Sequence, residues 1–411
     1  MKKKLIALVI FLLAVAGYFV FFHKDKTLEY IPENADVVVL LDTKNFVRQY
    51  ISSLATHPSQ WFGSKNKKEK IISIQESGMK IPDFLQIFHI KNSKLSDWYS
   101  VVELKNREQF LTFLKSQKFI NKGKNLFQKS QVFIKIEANH AVFGTSNLAF
   151  KDINEYLFSA ERKNIFNADQ FIDNSLGSVS FISTHKIQNF SIELNDNTID
   201  MKNNSNPEIF SSVLTKLEKK KAFLEFELNL KNIRNITSFW DKSFADSSQI
   251  NYVKTNAELE LVNDTIITYG YDDNFNEVEK KSFQKIVQPN YSIDIQSLNL
   301  QKTEQYFQNK KWMNAQNQFT AIPFQPNVIE KNKKGFQIKS TRKSVLLSPK
   351  LNENYIFVRN NPLLFSSVKT LSAAEKKLIS DIEYIFYGNK DQDYYLKLQC
   401  KKGQLPLIFR W

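Results

Sequence analysis

The sequence contains little cysteine, glycine or arginine, and each shortage excludes a class of site. Of its 411 residues one is a cysteine, Cys400, so an intramolecular disulfide is excluded. Leu396 and Leu398 alternate with Cys400 as on one face of a strand, which predicts a buried thiol rather than a nucleophile. Only 10 glycines are present, and none belongs to a glycine-rich phosphate loop or a Gly-x-Ser-x-Gly elbow.

Arginine accounts for 7 of the 57 basic residues, although the net charge is +15. Because arginine is preferred for bidentate contacts to phosphates and bases, its scarcity argues against nucleic-acid recognition. The lysines are scattered in short runs, such as Lys65–Lys70 and Lys331–Lys334. We therefore expect no nucleic-acid partner, and we interpret the charge as a solvated basic surface facing anionic lipid or polymer.

The titratable residues show no spacing typical of a catalytic or metal site. No two histidines are three or four positions apart, as metal ligands on one helix face would be. The five histidines are His23, His57, His89, His140 and His185. Two acidic pairs, Asp272 with Asp273 and Asp391 with Asp393, could give oxygens to a cation, but turn formation explains them. We predict no catalytic, cofactor-binding or metal-binding residue, no cofactor, and no enzymatic activity.

The longest apolar run lies near the N-terminus, from Leu5 to Phe22, and follows three lysines. Eighteen residues of helix rise about 27 Å, close to the roughly 30 Å hydrocarbon core of a bilayer. A cleaved signal peptide is the alternative, since Ala14-Val15-Ala16 precedes Gly17. Because the apolar run continues to Phe22, we favour an uncleaved transmembrane anchor.

The lysines around this run predict an orientation. The stronger positive cluster precedes the run, while Lys24 and Lys26 follow it beside acidic residues, so the N-terminus should be cytoplasmic. We predict a basic cytoplasmic region at residues 1–4, a transmembrane anchor at 5–22 and a linker at 23–34. The expected location is the bacterial inner membrane, with a single pass and an extracytoplasmic (periplasmic) C-terminal domain. The lipid bilayer would be a partner through the anchor.

Downstream, apolar periodicity predicts strands that alternate with helices. Val37–Leu41 is a β-branched run typical of a buried strand. The apolar residues between Phe46 and Leu54 recur at helical spacing, which predicts an amphipathic helix directly after it. Asn106 and Gln109 have the spacing of a capping box at the start of another helix.

A hairpin is predicted in the second half of the chain. Residues 256–262 and 266–271 both have strand patterns, and Asn263-Asp264 between them is a common turn dipeptide. The sequence therefore predicts that the chain reverses at these two residues.

Strand-to-helix openings recur along the chain. Val37–Leu41, Val179–Ile182 and Ile293–Ile295 each precede a helical pattern, so we interpret them as equivalent buried strands. Spacings well over 100 residues indicate duplicated domains rather than a solenoid. The predicted fold class is α+β: an N-terminal transmembrane helix followed by two or three duplicated units of mainly antiparallel sheet with packed helices. The predicted units span residues 35–165, 166–288 and 289–411.

Turn residues and apolar strands follow a fixed order over most of residues 29–165. They are Ile31-Pro32, Gly78–Asp83, Trp98-Tyr99, and a hairpin with a helix after Asn147. In this order the chain resembles a broad group of uncharacterised bacterial envelope proteins. Those proteins carry one N-terminal anchor and repeated α+β units outside the membrane. The resemblance implies a location and a fold, and it supplies no catalytic residues.

Three classes of function stay open. We expect a membrane-anchored, extracytoplasmic structural or interaction protein of the bacterial cell envelope, non-catalytic and with a protein partner there. One alternative is a binder of envelope lipid or polysaccharide, which a long apolar groove would favour. The other is a hydrolase whose acidic residues meet only in the fold, which a pocket lined by carboxylates or histidine would favour. The aromatic candidates for binding, each more simply explained by core burial, are Trp61, Phe62, Trp240, Trp312 and Trp411.

Overall fold

The chain folds into two compact units. Unit 1 comprises residues 1–203 and 404–411, and unit 2 comprises residues 204–403. Each is built on antiparallel strands with helices packed against them. The structure is a computed structural model, and it describes residues 22–57, 76–158, 165–183, 186–203, 207–238, 241–322, 327–367, 373–403 and 405–410.

Unit 1 is rich in short strands. Its strands are β1 (Thr27–Leu28), β2 (Ala35–Asp42), β3 (Phe84–Ile90), β4 (Trp98–Glu103), β5 (Ile120–Gly123), β6 (Leu126–Lys129), β7 (Val132–Glu137), β8 (His140–Gly144), β9 (Phe166–Asn167), β10 (Gly177–Ser183), β11 (Lys186–Leu194) and β12 (Thr198–Lys202). Its α-helices are α1 (Thr43–Thr56), α2 (Arg107–Ser116) and α3 (Phe150–Phe158), and short 3₁₀ helices span Ala168–Gln170 and Leu407–Phe409.

The unit 1 sheet has the strand order β12-β11-β10-β2-β3-β4-β8-β7-β6-β5, with every neighbouring pair antiparallel. On one face, Ile153 and Leu157 of α3 share an apolar core with Val38 and Leu40 of β2. On the other face, Phe110 of α2 packs into a second core with residues of β7 and β8. Both faces of the sheet are therefore covered, as two-sided burial of alternating side chains requires.

Unit 2 has fewer and longer strands. They are β13 (Leu224–Asn229), β14 (Ile250–Tyr271), β15 (Glu277–Ser297), β16 (Asn327–Lys331), β17 (Gly335–Ser340), β18 (Asn354–Arg359), β19 (Ile382–Lys390) and β20 (Asp393–Cys400). The helices are α4 (Ser211–Glu218), α5 (Leu230–Thr237), α6 (Phe244–Ser248), α7 (Leu300–Asn309), α8 (Pro362–Ser367) and α9 (Ala373–Asp381), with a 3₁₀ helix at Pro207–Phe210.

The unit 2 sheet repeats the topology of unit 1. Its order is β20-β19-β18-β13-β14-β15-β17-β16, again antiparallel throughout. In both units a central strand, β2 or β13, leads into a helix and then into two neighbouring strands on one side. A second helix and a hairpin complete that side, and the last three strands extend the other side. Unit 1 differs by the added strands β5 and β6 and by α3 between β8 and β10, and unit 2 differs by α4, α6, α8 and α9.

Two helices in equivalent places, α2 after β4 in unit 1 and α7 after β15 in unit 2, start in the same way. The Asn106 side chain accepts the N–H of Gln109 at 3.0 Å and caps α2. The Asn299 side chain accepts the N–H of Lys302 at 3.0 Å and caps α7. An asparagine in this position satisfies one of the free N–H groups of the first turn.

The same helix also ends in the same way. Lys118 and Lys311 both have a left-handed backbone, with φ of 63° and 55°. The following residues, Phe119 and Trp312, donate their N–H groups to carbonyls five positions back, at 3.0 Å and 2.8 Å. The same number of residues separates Asn106 from Asn299, Lys118 from Lys311, and Phe119 from Trp312. The repeat is therefore a duplication of topology and of helix ends.

The predicted equivalence of strands is wrong in detail. β2 and β10, which carry Val37–Leu41 and Val179–Ile182, are direct neighbours in one sheet, and Val39 lies opposite Val179. Ile293–Ile295 belongs to β15, whose counterpart is β4. The predicted burial is also only partly correct, because Val38 and Leu40 are buried whereas Val39 is half-buried and Phe181 is 44% exposed. By its contacts the chain divides into two units.

The predicted membrane anchor has no support. In the described part of the chain, which begins at Phe22, every helix is too short or too polar to cross a bilayer. Residues 5–21 of the predicted anchor lie outside the described residues. The predicted fold class, with its N-terminal transmembrane helix, is corrected to antiparallel sheets with packed helices. The predicted single-pass location in the bacterial inner membrane is likewise not supported.

The predicted hairpin at Asn263-Asp264 is also wrong. β14 runs without interruption through these residues, which lie opposite Lys285 and Gln284 of β15. The chain reverses instead at residues 272–276. Asn263 is exposed, and an exposed ladder accepts polar residues that would disrupt a buried strand.

Candidate functional site

Unit 1 contains an apolar cavity of 360 Å³ on the α2 face of its sheet. The sheet side of the cavity is formed by Leu85 and Ile87 of β3, Ser100 and Val102 of β4, and Phe143 of β8. Its rim is formed by Thr43 and by residues 79–82. Leu85, Ile87, Val102 and Phe143 supply an apolar surface, which is typical of sites for apolar small molecules.

Local hydrogen bonds hold this rim in place. Gly78 has φ +79°, and its carbonyl accepts the N–H groups of Lys105 and Asn106. A Cβ at Gly78 would lie 2.3 Å from the Asn106 carbonyl oxygen, so the close approach requires glycine. Thr43 Oγ1 donates to the Pro82 carbonyl at 2.6 Å. Ile81 between these points is 55% exposed, which places an entrance to the cavity there.

Unit 2 contains an apolar cavity of 350 Å³ on the corresponding face. Phe226 of β13, Val253 and Thr255 of β14, and Ile293 of β15 form its sheet side. The facing side chains come from α6, α7 and the segment after α7. They are Phe244, Phe307, Trp312, Phe319 and Ile322.

Aromatic contacts and the end of α7 hold the wall of the second cavity. The Trp312 ring lies 5.9 Å from Phe307 and 5.9 Å from Tyr306, the latter edge to face. Trp312 follows the left-handed residue Lys311, so the chain turns and brings the indole over the sheet. The Thr320 N–H then donates to the Trp312 carbonyl at 2.9 Å. Trp312 and Phe319 of this segment therefore form part of the cavity wall.

The two cavities occupy the same place in the repeated topology. In unit 1 the central rung pairs Ile87 of β3 with Ser100 of β4. In unit 2 the corresponding rung pairs Thr255 of β14 with Ile293 of β15. Each cavity thus has one aliphatic and one hydroxyl side chain on its central rung, with the two types exchanged between the strands.

The hydroxyl of each rung has no hydrogen-bond partner among the described residues. This holds for Ser100 Oγ in unit 1 and for Thr255 Oγ1 in unit 2, and both oxygens are buried. A buried hydroxyl without a partner costs about 1–3 kcal/mol.

The opposite face of the unit 2 sheet carries buried charges. Glu225 and Glu227 of β13 stand where β2 has Val38 and Leu40. Lys254 Nζ lies 2.5 Å from the Glu227 carboxylate, and both side chains are 2% exposed. A buried pair of this kind is stable only when further hydrogen bonds satisfy its remaining atoms.

Those further hydrogen bonds are present. Glu227 also accepts the N–H groups of Leu351 and Asn352 at 3.0 Å each. Glu225 accepts from Lys220 at 2.8 Å, from Ser348 at 2.5 Å and from the Tyr355 hydroxyl at 3.0 Å. Burial first, and the Glu225 charge second, raise the pKa of Tyr355 far above its usual 10.0.

These bonds account for the buried carboxylates structurally. The donors from Ser348, Leu351 and Asn352 fasten residues 348–352 to the sheet. A carboxylate surrounded by fixed donors is poorly placed to bind a metal or to accept a proton from a substrate. In the parts of the chain that are described, no group of three or more histidine, cysteine and acidic residues could hold a metal ion.

The histidines and turn aspartates take separate positions. His89 is buried, with Nδ1 2.6 Å from Asp36 Oδ1, an arrangement that the sequence analysis missed. His140 lies on β8 against the Tyr30 ring, and burial lowers its pKa below 6.5. Asp272 accepts N–H groups within its own turn, as the turn interpretation predicted. His185 lies outside the described residues.

Of the aromatic residues predicted as binding candidates, one lines a cavity. Trp312 lines the unit 2 cavity. Trp61, Phe62, Trp240 and Trp411 lie outside the described residues. Cys400 is buried at the end of β20, as its alternation with leucines indicated.

No protein-family model, curated protein or solved structure matches this chain.

Proposed function

We propose that each unit binds the apolar chain of a lipid-class ligand and that the protein is a carrier or sensor of such ligands. The single observation that carries the proposal is the recurrence of one apolar cavity at the same rung of two duplicated sheets. Packing defects do not recur in this way, because protein interiors are close-packed and a void costs stability. The unit 2 cavity is lined by neither acidic, basic nor histidine residues, which favours binding over hydrolysis.

The size and chemistry of the cavities define the ligand. Volumes of 360 and 350 Å³ fall at the lower end of small-molecule sites. Each methylene group removed from water contributes about 0.8 kcal/mol, so about ten of them contribute roughly 8 kcal/mol before the cost of association. We expect a medium acyl chain to bind with a micromolar or weaker dissociation constant.

The test is the stoichiometry of binding. A fluorescent medium-chain fatty acid titrated into the full chain should bind at two sites. Ser100→Phe should fill the unit 1 cavity and Thr255→Phe the unit 2 cavity, so each variant should keep one site and the double variant none. Thr112→Phe, on the exposed face of α2, is the matched control and should keep two. Binding that neither cavity variant reduces would contradict the proposal.

A further inference from the structure

β14 and β15 extend far beyond the strands that flank them in the unit 2 sheet. β13 pairs with β14 only as far as Ala257, and β17 pairs with β15 only from Ser292 onward. Residues 258–290 therefore form a two-stranded ribbon that ends in the turn at 272–276. At roughly 3.4 Å per residue the ribbon is about 48 Å long. No other described strand pairs with this part of the ladder.

The backbone of β14 presents hydrogen-bonding groups along one edge of this ribbon. The Phe223 N–H donates to the Ala257 carbonyl at 3.0 Å, so the backbone polar groups of Ala257 point away from β15. At the far end, the Asp272 N–H donates to the Asn276 carbonyl across the turn at 2.9 Å. These groups alternate in direction along an antiparallel strand. The N–H and C=O groups of every second residue over 259–271 therefore point outward, and no described residue bonds to them.

The two edges of the ribbon differ in their chemistry. We define the β14 edge as the outward-pointing residues of β14, none of which is charged: Leu259, Leu261, Asn263, Thr265, Ile267, Tyr269 and Tyr271. The outward-pointing residues of β15 are Glu277, Glu279, Lys281, Phe283, Lys285, Val287 and Pro289. Charged residues and proline on an exposed strand prevent pairing with another chain. The β15 edge is therefore blocked against further pairing, and the β14 edge is open to it.

The outer half of the ribbon lacks the additional strands that a stable sheet needs. Two strands alone are at best marginally stable in water, and three or more strands are needed for independent stability. Ile267 is 48% exposed, Tyr269 66% and Tyr271 72%, so unit 2 covers this half only in part. A strand added at the β14 edge would pair the free N–H and C=O groups. The edge therefore fits a partner that supplies an extended strand.

The charges along β14 favour an antiparallel partner of the same sequence. In the ribbon, the acidic residues of β14 are Glu258, Glu260 and Asp264, all in the inner half, and residues 265–271 carry no charge. Antiparallel pairing places the inner half of one strand opposite the outer half of the other, so Asp264 lies opposite an uncharged residue. Cations of unit 2 already pair with Glu258 and Glu260, at 2.6 Å and 3.4 Å. A parallel partner of this sequence would instead place like charges side by side.

Pairing through β14 also separates the apolar and charged side chains of the ribbon. Ile267, Tyr269 and Tyr271 would lie on the two central strands of a four-stranded sheet, and the charged residues of β15 would lie on its outer strands. Aromatic and β-branched side chains on neighbouring strands stabilise a sheet. Because the β15 edges stay blocked, the assembly ends at two copies.

We propose that the chain forms a two-fold symmetric dimer in which the β14 edges of two copies pair antiparallel. The two-fold axis lies between Thr265 and Ile267, and the four strands follow the order β15-β14-β14-β15. Pairing through this edge requires no ligand in either cavity, so the dimer is independent of the proposed function.

The test is the oligomeric state of the full chain, measured by sedimentation velocity over a wide range of protein concentrations. The wild type should form a dimer whose population rises with concentration. Ile267→Lys brings two like charges together near the axis and should raise the dissociation constant about tenfold or more. Phe283→Lys, on the same ribbon face but on β15, is the matched control and should leave the dissociation constant unchanged. Both variants should keep the circular dichroism spectrum of the wild type, since both side chains are exposed.

Cysteine crosslinking locates the interface without relying on those variants. The one native cysteine, Cys400, is buried and should not react. Thr265→Cys and Ile267→Cys should each form an intermolecular disulfide under mild oxidation, because residues near a two-fold axis face their own copies. Ser282→Cys and Gln284→Cys, on β15, are the controls and should stay monomeric on a non-reducing gel.

Four results would overturn the proposed dimer. A monomer at every concentration would leave the β14 edge to an extended peptide of another protein. A dimer that Ile267→Lys does not weaken would place the interface elsewhere on the chain. Equal weakening by Phe283→Lys would assign the contact to the face of the ribbon rather than to its edge. Crosslinks at Ser282→Cys as strong as those at Thr265→Cys, or oligomers that grow beyond two copies, would show that the β15 edge is not blocked.

Discussion

Ser100 and Thr255 are the hydroxyl residues at the centre of the two cavities, and they lie on the same rung of the repeated sheet from opposite strands. Ser100 pairs with Ile87, and Thr255 pairs with Ile293. The rung thus keeps one aliphatic and one hydroxyl side chain in each unit although the residues themselves differ. The two units therefore share the residue types of this rung as well as its position in the sheet.

The first prediction concerns the left-handed helix ends. A residue with a Cβ at this position costs about 1 kcal/mol or more, and glycine avoids that cost although it increases the entropy of the unfolded chain. Lys118→Gly and Lys311→Gly should each raise the free energy of unfolding by roughly 0.5–1 kcal/mol. Chemical denaturation would measure both. Lys115→Gly, inside α2, is the control and should destabilise, and a destabilising Lys118→Gly would contradict the assigned end.

The second prediction concerns the buried ion pair of unit 2. Lys254→Met leaves the Glu227 carboxylate buried without its cation, which should lower the free energy of unfolding by about 3–5 kcal/mol. The double variant Lys254→Met, Glu227→Gln should recover part of this loss, because the amide carries no buried charge and its oxygen can still accept from either Leu351 or Asn352. Denaturation curves of the three proteins measure the coupling.

A surface pair gives the matched control for that measurement. Lys331 lies 2.6 Å from Glu304, but its side chain is 50% exposed. Lys331→Met should therefore change the free energy of unfolding by less than about 1 kcal/mol. Equal effects of Lys254→Met and Lys331→Met would show that the Glu227 pair is not buried.

The third prediction is a loss of stability in alkali. Burial raises the pKa of Tyr291 and of Tyr387 to about 12, and also raises the pKa of Tyr355 and Tyr384, which lie beside Glu225 and Glu218. Because the folded pKa exceeds the unfolded value near 10, this stabilisation is complete below pH 10 and is lost as the pH rises towards 12.

Phenolate absorbance and circular dichroism followed together would check this prediction. Phenolate formation by these tyrosines should coincide with unfolding rather than precede it. Tyr387→Phe removes one of the groups and should make the loss of stability with pH less steep. Titration of all tyrosines near pH 10 in a folded protein would contradict the assigned burial.

Local features of the fold were predictable from the sequence, whereas the pairing of distant strands was not. Asn106 was identified as a helix cap because a cap depends on residues three positions apart. The pairing of Val39 with Val179 could not be predicted from nearby residues, because the two lie far apart in the sequence. Their strands have similar patterns, so two neighbouring strands were interpreted as repeats of one strand. The repeat that the structure does show, between α2 and α7, is present in the sequence as an asparagine followed thirteen residues later by an aromatic residue. The pairs are Asn106 with Phe119 and Asn299 with Trp312.

The cavities could not be predicted from the sequence for a related reason. Ser100, Ile87 and Phe143 meet only when three strands align, and nothing in their own neighbourhoods distinguishes a cavity wall from a filled core. The continuous β14 was missed because Asn263 and Asp264 match a turn dipeptide. Asn263 is exposed on β14 and Asp264 is half-buried there, so neither polar side chain pays a full cost of burial in the strand.

The most direct measurement of the central claim is photo-crosslinking of the full chain with a fatty acid that carries a diazirine near the middle of its chain, followed by peptide mapping. Adducts should appear in both units, on cavity residues such as Ile81 and Val102 in unit 1 and Trp312 and Ile322 in unit 2. Excess unlabelled fatty acid should remove both sets. Adducts confined to one unit, or spread over exposed residues and insensitive to competition, would contradict the claim that the duplicated units carry equivalent apolar sites.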